Sequence, residues 1–72
     1  MNNASKRLIR GREVEKKTGY GTTTLRSKVK RGEFPEPVRL GEGPTSPRVW
    51  DEAEVDRWIE DRLRAGRERR AA

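Results

Sequence analysis

The stretch Phe34-Pro35-Glu36-Pro37 limits most strongly what this chain can fold into. A proline has no amide hydrogen and its ring clashes with the preceding helical turn, so two prolines within three residues exclude a helix here. Any helical pattern must end before Phe34 and can resume only after Pro37. The length of 72 residues predicts a single small domain.

The segment before the prolines predicts two short helices joined by a tight turn. The first covers residues 12–18 and ends at Gly19, since glycine readily adopts the left-handed conformation that closes helices. The second covers residues 22–30, where Leu25 and Val29 lie four positions apart and form the inward stripe. This is a helix-turn-helix outline, although many small helical hairpins share it.

The segment after the prolines predicts a β-hairpin, with an irregular loop as the alternative. Val38-Arg39-Leu40 and Arg48-Val49-Trp50 match two short strands, and the turn-forming residues 41–47 join them. In this hairpin Arg39 and Arg48 flank the tip.

A third helix is predicted to begin at Asp51, with Asp51 and Glu54 spaced as in a capping box. Gly66 is expected to end this helix near Ala65. Its apolar face is predicted from four residues at helical spacing: Val55, Trp58, Ile59 and Leu63.

The expected organisation is a flexible tail over residues 1–6, a folded domain over residues 7–65 and a basic tail over residues 66–72. The high charge and low apolar content favour disorder, but the regular spacing of the apolar residues argues against it. We expect Trp50 and Trp58 to lie in the core, because a chain this small needs its aromatic residues there. The alternative is that they are stacking platforms for single-stranded nucleic acid.

Composition removes several classes of function. The chain has no cysteine and no histidine, which excludes disulfides, cysteine-containing zinc sites and the most common general base. We therefore expect no enzymatic activity, no cofactor and no metal. No apolar run is long enough for a membrane span or a signal peptide, which predicts a cytoplasmic protein.

The charge distribution favours a polyanionic partner. Residues 1–50 contain 12 Lys/Arg and 5 Asp/Glu, a net charge of +7. Residues 51–72 contain 6 Lys/Arg and 7 Asp/Glu, a net charge of −1. Residues 16–32 contain six basic residues and no acid. Such an excess attracts nucleic acid through counterion release, although a solvated surface is the simpler alternative.

The second helix carries the main candidate residues, because its exposed side is rich in donors that contact phosphates and base edges. Arg39 and Arg48 of the hairpin are a second candidate, able to reach phosphates or a narrow minor groove, unless their stems only cover apolar surface. The candidate residues of the second helix and its end are Thr22, Thr23, Arg26, Ser27, Lys30 and Arg31.

The order of these segments resembles the AlpA-type and excisionase-type DNA-binding proteins of phages and prophages. The resemblance covers about residues 7–63. Its most specific part is Glu33 to Gly41, of the form Glu-Phe-Pro-x-Pro-Val-x-Leu-Gly, followed by Trp50 and by Glu-Val-Asp-x-Trp-Ile from Glu54. Arg7-Leu8-Ile9-Arg10 and Thr18-Gly19-Tyr20 also match. The resemblance implies a small α+β fold, a MerR-like winged helix-turn-helix with three helices and one hairpin wing.

The resemblance also implies that the second helix enters the major groove and the wing lies against the minor groove. Lys30 would then contact the backbone, and the region around Arg48 would lie at the minor groove. Gly21 replaces a usual serine N-cap, Lys28 stands where an apolar residue is common, and the wing loop is long. The residues placed at bases or phosphates are Thr22, Thr23, Arg26 and Ser27.

The expected function is sequence-specific binding of double-stranded DNA in a bacterial host. We expect an excisionase that bends attachment-site DNA, with an integrase and further copies of itself as partners. The alternatives are a transcriptional regulator of phage genes and, in a different class, a protein-interaction adaptor.

Overall fold

The computed structural model describes residues 6–71, which form an α+β domain as predicted. Its strands are β1 (Leu8–Ile9), β2 (Val38–Arg39) and β3 (Arg48–Asp51). Its helices are α1 (Gly11–Thr18), α2 (Thr22–Lys30) and α3 (Glu52–Ala71).

Glycines end the first two helices, as the sequence predicts. Gly19 has a φ of 82° and its amide donates to the Glu15 carbonyl at 2.7 Å. Gly32, with a φ of 75°, follows α2, and the next amide, of Glu33, reaches back to the Lys28 carbonyl at 2.8 Å. Left-handed glycines satisfy the last helical carbonyls in this way. The predicted bounds of α2 are confirmed, and α1 begins one residue earlier than predicted.

The predicted hairpin is confirmed, but it belongs to a three-stranded antiparallel sheet with the order β1-β3-β2. Arg39 lies opposite Arg48, and the Leu40 amide donates to the Pro47 carbonyl at 3.2 Å across the loop. The added strand, β1, pairs Ile9 with Trp50. A strand of two residues is too short to show an alternating pattern, so the sequence did not predict it.

Phe34 is held between the two tryptophans. Its ring centroid lies 6.4 Å from that of Trp50 and 4.7 Å from that of Trp58, both edge to face. The Trp50 indole donates to the Pro35 carbonyl at 2.8 Å, and the Trp58 indole donates to the Glu33 carbonyl at 3.1 Å. Both indoles therefore bind the segment that contains Phe34, and both tryptophans belong to the core rather than to a stacking surface.

The core contains residues from all three helices and from the strands β1 and β3. Tyr20, Val29, Trp58 and Ile59 pack against it while partly buried, so that Tyr20 does point inward. The buried members of the core are Ile9, Val14, Leu25, Phe34, Trp50 and Val55.

Two predictions about α3 are wrong. The helix does not end near Ala65 but continues through Gly66 to Ala71, so residues 66–71 are not a frayed tail. A glycine inside a helix costs only about 1 kcal/mol relative to alanine, and the arginines around it are good helix formers. Leu63 does not complete a buried face, because it is 45% exposed and lies past the end of the core. Of the predicted capping box, the part played by Asp51 is confirmed, since its carboxylate accepts from the Ala53 amide at 3.1 Å.

Ion pairs join the start of α3 to α1 and to Arg7, the residue before β1. Lys17 lies 2.7 Å from Asp56 and 3.2 Å from Glu52, and Glu52 also pairs with Arg7 at 2.9 Å. The hydrogen bonds to Asp56 and Glu52 raise the pKa of Lys17 above its ordinary value. Lys17 is therefore paired with two carboxylates.

The division of the chain at residue 6 stays a prediction. Residues 1–5 of the expected N-terminal tail lie outside the described residues, while Lys6 reaches Asp51 at 2.7 Å.

We predict that Phe34→Ala destabilises the domain by about 3–5 kcal/mol, the usual cost of removing a buried aromatic side chain. A domain of this size has a total stability of roughly 4–11 kcal/mol, so the variant should lose a large fraction of it. Urea denaturation followed by circular dichroism measures the loss. Leu63→Ala is the matched control and should change stability by no more than about 0.5 kcal/mol. Equal midpoints for the two variants would contradict the assigned position of Phe34.

We predict that the Asp51 carboxyl titrates below its ordinary pKa of 3.8, chiefly because Lys6 donates to it and also because the Ala53 amide does. A depressed pKa in the folded state contributes stability above pH 3.8, and that stability is lost as the pH falls through the folded pKa. Carbon-detected NMR titration measures the value. Lys6→Met should raise it, and a pKa unchanged by that substitution would show that Lys6 is not the main cause.

Candidate nucleic-acid interface

The exposed side of α2 contains four of the five helix residues predicted for it, and also Thr24, which was not predicted. Leu25 is buried and Val29 is half-buried, so the helix is anchored by one side. Ser27 is half-buried at the border of this side, and Arg31 follows directly after the last helical residue. The exposed members of the predicted set on α2 are Thr22, Thr23, Arg26 and Lys30.

An open groove of about 450 Å³ lies between α2 and the hairpin. Thr22, Arg26 and Lys30, each four residues apart, line one wall as a single stripe. Arg48 of β3 and Pro37 line the other. The structure therefore brings four predicted residues together around one groove. Thr23, Ser27 and Arg31 do not line it and lie further round the helix.

A second groove, of about 310 Å³, lies between the hairpin and Val29 of α2. It is lined by both hairpin arginines, Arg39 and Arg48, and by Glu36. The Arg39 guanidinium turns towards the loop and donates to the Gly43 carbonyl at 3.4 Å. Arg39 thus helps to shape the wing loop, whereas Arg48 faces both grooves.

Glu15 is a residue of this surface that the sequence did not indicate. It lies on α1, lines the groove, and its carboxylate accepts a hydrogen bond from the Thr22 hydroxyl at 2.9 Å. The contact joins two elements across the turn, seven residues apart, so no local pattern could have revealed it. Glu15 fixes the orientation of Thr22 and places a negative charge inside a basic surface.

Lys28 is explained by its contacts. Its ammonium lies 5.5 Å from the centre of the Tyr20 ring and 3.5 Å from the Glu33 carboxylate. A cation over an aromatic face is attracted to it, and the aliphatic stem of lysine covers apolar surface. Lys28 therefore takes the place of an apolar residue and belongs to the packing beneath α2, not to its exposed side.

The start of α2 presents unpaired backbone donors to solvent. Its N-cap is Gly21, which provides no side-chain hydrogen bond, and the first turn contains no acid. Free amides at a helix N-terminus suit an anionic group, and here they lie at one end of the Thr22, Arg26 and Lys30 stripe.

Comparison with known proteins identifies the family. Residues 7–63 match the family model described as prophage CP4-57 regulatory protein (AlpA). The chain belongs to the AlpA family. It is accordingly a phage-related regulatory DNA-binding protein. No curated protein and no solved structure matched the chain.

Two structural features are absent from residues 6–71. In this part of the AlpA-family chain, no helix combines the length and the apolar character needed to cross a bilayer. Within the same residues, no three acidic side chains lie close enough together to hold a metal ion.

We predict that Glu15→Gln increases the affinity for DNA about two- to fivefold, because it removes one charge that repels phosphate from an exposed groove. Glutamine retains an acceptor for the Thr22 hydroxyl, so the helix should keep its position. Fluorescence anisotropy with a labelled duplex measures the change. Glu13→Gln makes the same change of net charge on another side of α1 and should have a smaller effect. Equal gains would indicate a general effect of net charge.

Proposed function

We propose that this chain regulates a prophage by binding double-stranded DNA with α2 in the major groove and the hairpin against the minor groove. The observation that carries the proposal is the groove lined by Thr22, Arg26 and Lys30 on one side and by Arg48 on the other. The α2 stripe and the hairpin provide two separate sets of positive groups on one open surface. That arrangement suits a helix in one groove of a duplex and a wing in the next.

The proposed roles follow from the chemistry of each side chain. Arg26 is exposed near the middle of α2, where a guanidinium can donate to O6 and N7 of one guanine. Thr23, which is exposed, and Ser27, which is half-buried, lie further round the helix and are proposed to contact bases or phosphates. Lys30 and Arg31, at the end of the helix, are placed at the backbone, where they add affinity without discriminating between sequences.

Arg48 is proposed to reach the minor groove or its phosphates. Arg39 supports the wing loop through Gly43 and is proposed as a weaker backbone contact. Pro37 lines the same groove beside Arg48.

We predict different consequences for two substitutions on α2. Arg26→Ala should weaken binding by about 1–3 kcal/mol at the preferred site and relax sequence preference, because it removes a base contact. Lys30→Ala should weaken binding to all sequences about equally. It should also reduce, by about 1, the magnitude of the slope of log K against log salt concentration. Anisotropy titrations against a preferred duplex, obtained by in vitro selection, and a mixed-sequence duplex measure both effects. Equal losses on both duplexes for both variants would contradict the assigned roles.

Salt dependence tests DNA binding itself. Contact with about five phosphates predicts that log K falls with log salt with a slope near −4 to −5. A protein-interaction adaptor with α3 as its docking helix is the competing class, and it predicts no salt-dependent affinity for a duplex. A flat response would therefore reject the DNA-binding proposal.

Two finer roles use the same surface. We propose an excisionase that binds and bends attachment-site DNA and directs an integrase towards excision. One reading helix and one wing make few contacts, so adjacent copies on neighbouring sites would raise affinity through joint binding. The second role is a transcriptional regulator of phage genes, which the description of the family as regulatory supports.

Footprinting on the attachment and promoter regions of the prophage separates these roles. Tandem protected sites beside the attachment core, with altered mobility from bending, are expected for an excisionase. A single protected site over a promoter would reject that role in favour of transcriptional control.

A further inference from the structure

The second half of α3 extends beyond the core. At 1.5 Å per residue, the 20 residues of this helix span about 30 Å. Its contacts with the core lie in the first half, through buried Val55 and half-buried Trp58 and Ile59. Residues 62–71, which we call the arm, are exposed apart from half-buried Ala65 and Gly66.

The two halves of α3 carry opposite charge. Residues 51–61 contain six acids and one arginine, whereas the arm contains five arginines and one acid, Glu68. Cations near a helix C-terminus are stabilised by the helix dipole, but that effect is confined to the last turn. It applies to Arg69 and Arg70, and it does not account for Arg62, Arg64 and Arg67.

Three of these arginines continue the inward side of the helix. At 100° per residue, Arg62, Arg69 and Arg70 fall on the same side as buried Val55. The Arg62 guanidinium lies 5.6 Å from the centre of the Trp58 ring, as this alignment requires. Arg64 and Arg67 fall on the opposite side.

The arm leaves the domain beside the end of α2. The Trp58 indole donates to the Glu33 carbonyl, and Glu33 lies two residues after Arg31. Arg62 is one turn beyond Trp58, so the inward side of the arm begins next to the positive end of the α2 surface. The Glu33 carboxylate between them is paired with Lys28 and Arg31.

We propose that the arm binds the DNA backbone next to the segment contacted by α2, with Arg62, Arg69 and Arg70 facing phosphates. The proposal rests on the proposed function, because it extends the same DNA contact. The arm is about 15 Å long, which matches the rise of four to five base pairs. A duplex is favoured over an acidic protein because one continuous polyanion can contact both the α2 surface and the adjoining arm.

The test compares two double variants of equal charge. Arg69→Gln/Arg70→Gln removes the inward pair, and Arg64→Gln/Arg67→Gln removes the outward pair, while glutamine preserves helix formation. Each full-length variant is titrated by anisotropy against mixed-sequence duplexes of about 10 and 24 base pairs at several salt concentrations. Loss of two phosphate contacts should lower the magnitude of the salt slope by about 1.8 on the long duplex. Between 50 and 200 mM salt, the advantage of the wild type over the inward variant should then shrink about twelvefold.

The outcomes are distinct. A loss confined to the inward variant and the long duplex supports the proposal. Equal losses for both variants would show a general charge effect and would overturn it. No loss for either variant on the long duplex would overturn it too, leaving an acidic protein as the partner of the arm. If the wild type shows no salt-dependent binding to the short duplex, the proposed function itself fails, which is a different result.

Discussion

The structure depends on the contact of Phe34 with Trp50 and Trp58. The β-hairpin has only two pairs of residues between its strands, and α2 has only nine residues. Neither element is large enough to be stable alone. Phe34 packs between a tryptophan of β3 and a tryptophan of α3, and the indole of each binds a carbonyl next to Phe34. The segment that leaves α2 is thereby fixed to the strand and to the helix at once. The relative position of α2 and the hairpin follows from this one contact.

The two prolines favour the fixed conformation of the segment that contains Phe34. Pro35 and Pro37 have fixed φ angles and no amide hydrogen, so the segment loses little entropy on folding and leaves few donors unpaired. The Pro35 carbonyl remains available and accepts from Trp50. Pro37 then lines the groove between α2 and the hairpin. The same stretch that excludes a helix in the sequence contributes a wall residue to the groove in the structure.

Local patterns predicted most of the fold. Leu25 and Val29 with glycines on either side were sufficient for α2, and the turn-forming loop was sufficient for the hairpin. The sequence did not reveal β1, which exists through pairing with a distant strand, or the extent of α3, where Gly66 costs too little to stop the helix. The positions of Glu15 and Lys28 depend on contacts between elements, with Thr22 and with Tyr20, and no periodicity encodes them. The DNA contacts of the eight candidate residues stay predictions, although the structure gathers four of them around one groove.

Asp51 is both the last residue of β3 and the N-cap of α3, so no loop separates the strand from the helix. Because Phe34 packs against both Trp50 and Trp58, the hairpin strand and the 20-residue helix keep a fixed angle and move as one rigid unit. A change of only 10° in the direction of the strand would displace the far end of a 30 Å helix by about 5 Å. Binding of the hairpin to a duplex would therefore change the position of the end of α3. The angle at which the hairpin binds would determine which part of the duplex the end of α3 can contact.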